Sequence, residues 1–382
     1  FRRVLFRSRW QRRMQRDVLP APAALRGVGL DAASAGGRFD HGALPTLDEL
    51  GLPPTTITDR QRGGERLARG LLQSFLAERG ERYRTAMSSP LSGWQACSRL
   101  SAHLALGTIS LKSVHHALRE RQAEVRALPA AERGAWGGSL QSFGGRLRWH
   151  CHFVQKLEDE PALEFEDLNR AFDGLRPVEP DDEGARRLAA WQQGRTGYPM
   201  VDACMRCLGT TGWLNFRMRA MLVSFAAYHL WLHWRPVGLW LARHFVDFEP
   251  GIHWSQVQMQ SGTTGINTVR IYSPAKQLRD HDPDGVFVRR WLPELAGVPT
   301  ARLAEPFAMT RAEQDAAGCR IGVDYAPPIV DHAEAVKRAK ERIYAARRTP
   351  EARAEARRVY DKHGSRRRPR RPGAKTRPGA KA

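Results

Sequence analysis

The chain has 382 residues, of which 42% are hydrophobic and 26% charged, the balance of a globular protein with room for one large domain or two smaller ones. Its formal charge of +21 is uneven: residues 1–16 hold seven arginines and 365–382 hold six arginines and two lysines, neither segment has an acid, and +6 remains for the middle. No stretch approaches the roughly 18 uncharged apolar residues of a membrane span, and five cysteines, an odd number, argue against a disulfide scaffold and for a reducing, cytoplasmic setting.

Residues 1–60, rich in Ala, Gly, Pro and Arg, lack sustained periodicity and read as an N-terminal remnant and linker; the chain starts at Phe1 rather than Met and is expected to extend further back. From about Arg62 the pattern turns helical, with Leu67, Leu71, Leu72 and Phe75 on one stripe. Ser98-Arg-Leu-Ser101 precedes an apolar run, which makes Ser101 the predicted N-cap. Cys204 and Cys207 form a lone CxxC inside a helical pattern, a spacing common by chance, and no metal site is expected from it. Residues 213–234 read as a helix apolar on most sides, hence buried, which leaves Arg217 and Arg219 in need of anionic partners; His229 and His233 within it lack the HExxH glutamate and read as core. The one alternating run, Thr268–Tyr272, is short and closed by Ser273-Pro274. With no GxGxxG after a strand and no Walker A loop, the expected architecture is all-α: a helical domain over 61–347 and a basic, disordered tail over 348–382. Such a tail is either simply solvated or drawn to a polyanion by counterion release, with nucleic acid favoured over membrane because no amphipathic anchor accompanies it.

Eleven tryptophans, most of them between Trp136 and Trp291, are many for this length. Core filling explains most indoles. A packed row of Trp191, Trp234 and Trp254 can also pass an electron inward to a buried acceptor, and such acceptors are usually cofactors. The chain offers parts for a dinucleotide without a Rossmann fold: Ser98 and Ser101 at a helix start suit a diphosphate. Arg219 and Asp247 suit a ring system whose charge changes on reduction, with the guanidinium favouring the anionic form.

At this point a family resemblance emerges. The run GRTGYPMVDACMRCLGTTGWLNFRMR, followed by WRPVGLWLARHFVDFE and DPDGVFVRRWLPEL (282–295), resembles the signature of the photolyase and cryptochrome flavoproteins; upstream, Tyr83 and CSRLSAHLALGTIS (97–110) resemble their flavin-contacting segments. The resemblance spans roughly residues 60–300 and implies a large helical domain holding FAD in a bent conformation. By it, Tyr83, Ser98, Leu100 and Ser101 hold the diphosphate and ribityl portion, with His150 and Glu249 as further cofactor contacts. Arg219 and Asp247 pair beside the isoalloxazine, Trp149 lines the substrate cavity, and the electron route runs from Trp254 nearest the ring to Trp234 and then to Trp191 at the surface. LPTLDELGL (44–52) resembles the linker leading out of the family's N-terminal α/β domain, so the sequence reads as truncated, and any antenna chromophore would belong to that missing domain.

The departures surround the reactive cavity. Cys97 stands for the usual threonine, His150 and Cys151 fall where a WREF-like run is common, Arg146 replaces a lesion-contacting glutamate, and Phe216 replaces the polar residue of a WLHNR-like segment. The loop DFEPGIHW is short and lacks the Asn or Asp that would face flavin N5. The resemblance therefore implies an FAD-dependent, blue-light-driven DNA photolyase acting as a monomer on damaged DNA with no membrane partner, with a cryptochrome-like photoreceptor without repair activity as the alternative. The spacing of the cysteines gives an iron–sulfur cluster little support.

Overall fold

The computed structural model describes residues 10–18, 45–52, 54, 55 and 57–363. Both strongly basic ends fall largely outside them, including the whole of the expected tail segment 365–382. The chain runs through α1 (Glu65–Ala77), α2 (Tyr83–Ala86), α3 (Ser92–Ala96), α4 (Ser101–Ala105), α5 (Leu111–Ala127), α6 (Trp136–Asp159), α7 (Asp182–Gln192), α8 (Pro199–Thr211) and α9 (Phe216–Ser224). It continues through α10 (Trp234–His244), α11 (Pro250–Ser261), α12 (Pro274–His281), α13 (Val286–Trp291), α14 (Arg311–Ala317), α15 (His332–Arg348) and α16 (Pro350–His363). The fold is all-α. The run 268–272 stays irregular, and an isolated bridge between Ile321 and Tyr325 is the only β pairing among the described residues. No described helix is long and apolar enough to cross a membrane.

Local chemistry accounts for the helix ends. Both α8 and α11 open with proline, whose fixed φ suits the first helical position, and close on a left-handed glycine, Gly212 (φ 69°) and Gly262 (φ 81°). The turn before α8 is locked by Asp202, a buried carboxylate that accepts from Thr196 N (2.8 Å), Thr196 Oγ1 (2.6 Å), Gly197 N (3.0 Å) and Tyr325 Oη (2.6 Å). That network explains the aspartate of the GRTGYPMVDA run as a fold residue.

Two large apolar clusters share most of the interior, and a small third joins Ala227 and Tyr228 to Ala339 and Ile343. One gathers Phe75, Tyr83, Leu118, Leu140 and Phe143 around α1, α5 and the first half of α6. The other is built on α8–α11 and α13 and includes Trp191, Trp234 and Trp254. Helix α6 joins them, because Gly251 at the start of α11 lets the backbones meet: a Cβ there would lie 2.6 Å from Val154 Cα.

Several local expectations are revised. Ser101 is the first residue of α4 rather than its N-cap, and Leu100 occupies the cap position without a side-chain hydrogen bond. On α1 the buried stripe is Ala68, Leu72, Phe75 and Leu76, while Leu67 is exposed. The 213–234 segment is interrupted: α9 passes into a π turn at Phe225–His229, and Trp231 takes a left-handed conformation (φ 57°) before α10 begins. A left-handed residue cannot continue a right-handed helix. The ordered body also runs past residue 347. Helix α16 docks back on the end of α6, where Glu160 accepts from Lys362 (3.1 Å), Arg358 (3.4 Å) and His363, and Arg358 Nη2 donates to Leu168 O (3.0 Å). Near the other end, Trp10 and Ile57, within the stretch read as remnant and linker, are buried.

Candidate active site

Arg219 lies on α9 and Asp247 on the segment between α10 and α11; the fold brings them together in a bidentate pair, with both Nη–Oδ distances 2.9 Å. The third face of the guanidinium donates through Nε to Leu214 O (2.7 Å), and its carbon sits 4.1 Å from the centre of the Phe245 ring. The Asp247 side chain is 4% exposed. Burial pushes its carboxyl up, but the Arg219 charge and hydrogen bonds from Arg219 and the Ser101 hydroxyl outweigh that and hold it below the ordinary carboxylate range. Ser101 is thereby tied to the same pair.

The Cys97–Ser101 turn is clamped from outside. Arg79 donates to the carbonyls of Gln95 (2.6 Å) and Cys97 (2.7 Å), and Gln61 Nε2 donates to Arg99 O (2.9 Å). Arg99 is left-handed (φ 62°), and its guanidinium carbon lies 4.0 Å from the Trp94 ring centre and 3.8 Å from that of Trp213. A non-glycine residue in that region is held there by its surroundings, here the two indoles. Burial lowers Arg99 to about 10, with the Asp247 charge pulling the other way. Leu100 is buried within the turn. Leu100 N donates to Ser98 Oγ at 3.4 Å.

Tyr83 is buried against Phe75 and Phe143, its phenol pushed up to about 12 by burial and next by Cys97, and Arg146 donates to it. Arg146 also reaches over two exposed rings: its guanidinium carbon is 4.8 Å from the Trp149 centre and 5.8 Å from that of Phe216. Trp149 and Phe216 are 48% and 47% exposed. Phe216 and Arg219 are one helical turn apart, so α9 runs from this aromatic patch at one end to the buried ion pair. The α6 face continues as Phe153, 6.3 Å from Trp149 ring to ring, and Lys156, 5.5 Å over Phe153. His150, half-buried on α6, is lowered by burial while Glu249 raises it.

Two of the three tryptophans singled out in the sequence are in ring contact. Trp254 on α11 meets Trp234 on α10 edge to face, with ring centres 5.9 Å apart, and Gly238 makes room for it: a Cβ there would lie 2.6 Å from Trp254 Cζ3. Trp191 departs from the expected surface position. It is fully buried (0% exposed), because it is the one buried residue of the otherwise polar α7 and serves as that helix's anchor. Its ring contact is with half-buried Trp240 (5.5 Å), which stacks on His244 (3.7 Å).

A basic cavity of about 640 Å³ lies beside α9, lined by Arg217, Arg270, Lys340, His332, Tyr272 and Tyr344. Arg217 therefore faces a cavity where Arg219 faces a carboxylate. Below it, His229 Nε2 and His332 Nδ1 are 2.9 Å apart, and burial holds His229 at about 3. Cys204 and Cys207 are buried in α8 with thiols raised by burial.

Among the buried polar atoms without a hydrogen-bond partner are Arg99 Nη1, His150 Nδ1 and Trp254 Nε1. Buried polar atoms are normally satisfied; Arg99, which feels the charge of Asp247, and His150, which feels that of Glu249, each leave one unpaired beside the 247–249 segment, and that fits a polar group held there. A model of the FAD binding domain of DNA photolyase matches residues 143–345. The chain belongs to the photolyase/cryptochrome family. FAD is thus its cofactor.

Among its relatives, a cryptochrome DASH of Gloeobacter violaceus is 31% identical over 85% of the chain and 62% of that protein. A deoxyribodipyrimidine photo-lyase of Streptomyces griseus is 34% identical over 72% of the chain and 54% of that protein. A class III photolyase from Agrobacterium tumefaciens superposes with a TM-score of 0.66 at 30% identity, covering 75% of this chain and 56% of that one. The cryptochrome of Synechocystis superposes with a TM-score of 0.68 at 25% identity, covering 78% of this chain and 60% of that one. The chain spans about half to three-fifths of the length of these relatives.

Sequence reasoning missed Arg99, Asp167 and Trp240. Arg99 carried a usable signal, an arginine inside the SRLS turn, but its indole partners are remote in sequence. Asp167 and Trp240 carried none, since their importance rests on which ring each one touches.

Proposed function

We propose that this chain is the FAD-holding part of a light-driven flavoprotein that repairs pyrimidine dimers in DNA. The observation that carries the reading is the buried Arg219–Asp247 pair beside the clamped 97–101 turn, within a domain of this family. Bound in its reduced form, FAD would supply the light-driven one-electron chemistry that opens the dimer.

The protein's residues do the holding. Tyr83, Ser98, Leu100 and Ser101 bind the diphosphate and ribityl portion, His150 and Glu249 flank it, and Asp247 keeps the Arg219 guanidinium aimed at the isoalloxazine, where its charge favours the anionic reduced ring. Trp149 and Phe216 offer aromatic faces for a flipped nucleotide. Arg217, Arg270 and Lys340 bring positive charge for the phosphate backbone. Trp254, Trp234 and Trp191 serve photoreduction, with Trp240 extending the route from buried Trp191 toward solvent.

One observation favours a photoreceptor instead: the Arg146 guanidinium lies over Trp149, on a ring that would otherwise stack on a flipped base. The deciding experiment uses reduced, FAD-loaded protein mixed anaerobically with ultraviolet-damaged oligonucleotide and illuminated with blue light against a dark control. Light-dependent recovery of intact pyrimidines supports repair. A photoreducible protein that repairs neither dimers nor (6-4) photoproducts, in a chain carrying the N-terminal domain of its relatives, sinks repair in favour of signalling.

A further inference from the structure

We propose that Asp167 takes the indole proton of Trp234 when that tryptophan is oxidised, so that the electron hole is held inside the protein as a neutral tryptophanyl radical. The inference rests on the reading that Trp254 and Trp234 feed electrons to flavin. The contact that carries it is a short hydrogen bond, Trp234 Nε1 donating to Asp167 Oδ1 at 2.6 Å, with both residues buried.

The carboxylate is preorganised. Asp167 lies on the segment between two 3₁₀ turns, Pro161–Glu164 and Arg170–Phe172, and this segment is pinned to the helix that bears Trp254. Gln258, one turn after Trp254 on α11, donates through Nε2 to Leu163 O (2.9 Å) and Glu166 O (2.8 Å) and accepts from Leu168 N (2.7 Å). Asn169 N adds a bond to Thr263 O (3.1 Å) just beyond the end of α11. One helix thus carries Trp254 and fixes the loop that supplies the acceptor to Trp234.

Asp167 is also a better base than an ordinary carboxylate. Burial raises it to about 6, against the hydrogen bonds from Trp234 and Thr263; the charged groups acting on it are Asp173, which raises it further, and Arg176, which lowers it. At pH 8 the carboxylate form is still in about 100-fold excess over the acid. A buried cation is costly in an apolar interior, and losing an electron makes an indole N–H far more acidic. Proton transfer across the existing hydrogen bond turns the cation and carboxylate into two neutral groups.

The step balances. One electron leaves the Trp234 ring for Trp254, which has given one to photoexcited oxidised flavin, the oxidant. The Trp234 N–H bond breaks with its electron pair left on nitrogen, and the proton forms an O–H bond at Asp167 Oδ1. Electron return reverses both transfers.

The test follows tryptophan radicals by flash spectroscopy in FAD-loaded protein, together with the Trp234 Nε1–H resonance of nitrogen-15-labelled protein in the dark, assigned with Trp234→Phe. Wild type should form neutral radical at pH 8 and cation radical at pH 5. The dark indole resonance should titrate with a midpoint of about 6. Asp167→Asn, which accepts a hydrogen bond but not a proton, should give cation radical at both pH values and a resonance that no longer titrates.

A variant radical that stays neutral at pH 8, or a wild-type radical whose identity does not change with pH, overturns the proposal. The wild-type pH series decides by itself if Asp167→Asn does not fold. Trp254→Phe separates the two readings: if it leaves photoreduction intact, the tryptophan route fails whatever Asp167 does. If it abolishes the radical while Asp167→Asn matches wild type, the route stands and the proton acceptor falls.

Discussion

Replacing Arg219 with methionine keeps an unbranched apolar stem but removes the guanidinium that lies over Phe245 and holds Asp247. What remains is a carboxylate 4% exposed, with the Ser101 hydroxyl as its remaining side-chain donor. Breaking one side of a buried pair costs about 3–5 kcal/mol. At about 2 °C per kcal/mol for a domain of this size, Tm should fall by roughly 6–10 °C. The pH dependence is the sharper test. In wild type the folded Asp247 titrates below its unfolded value, so it adds stability that is present above about pH 4 and lost as pH falls through the folded pKa. In R219M burial, the largest influence on this carboxyl, is opposed by the weaker Ser101 and backbone hydrogen bonds and by the Arg99 charge; the carboxyl rises, which brings a penalty at neutral pH that fades on acidification. The gap between the two proteins should therefore be full at pH 7 and narrow toward pH 4 in thermal melts followed by circular dichroism. Adding Asp247→Asn to R219M removes the orphan charge and should recover part of the loss at pH 7. A constant gap across pH, or a double variant no more stable than R219M, would refute the argument that this pair is held together by buried charge. The flavin-to-protein absorbance ratio of purified R219M should also drop, and full occupancy would remove Arg219 from the cofactor site.

Gly238→Ala puts a methyl 2.6 Å from the Trp254 ring, and such overpacking costs about 1–3 kcal/mol; the indole must shift, so photoreduction should slow while bound FAD is retained, and an unchanged rate would mean the Trp254–Trp234 contact does not set it. Deleting residues 365–382 removes eight positive charges and should weaken DNA binding and flatten its dependence on salt, since every phosphate the shortened protein no longer neutralises reduces the log–log slope by about 0.9; equal slopes for the two proteins would assign the tail another purpose.

Much of this molecule was legible without coordinates, for reasons of local chemistry. Apolar residues recurring at helical spacing, proline at the start of α8 and α11, and glycine after each dictate helices with little help from elsewhere. The demand that Arg219 find an anion follows from its position among apolar neighbours, and Asp247 supplies it. Ordered motifs such as GRTGYPMVDA carry the family, because a turn locked by Asp202 tolerates few other residues.

What the tertiary structure decided is which side chains meet. Trp191 is an anchor inside the core and not a surface indole, since burial depends on what covers a helix as well as on the helix itself. Arg146 and Phe216, two unrelated departures in sequence, share one aromatic patch with Trp149 because α6 and α9 converge there. Trp234 had a part in the sequence reading, but its hydrogen-bond partner came from a loop 67 residues away. Periodicity and capping act over a few residues and can be read from them, whereas a hydrogen bond between remote segments exists only once the whole core has fixed both of its ends.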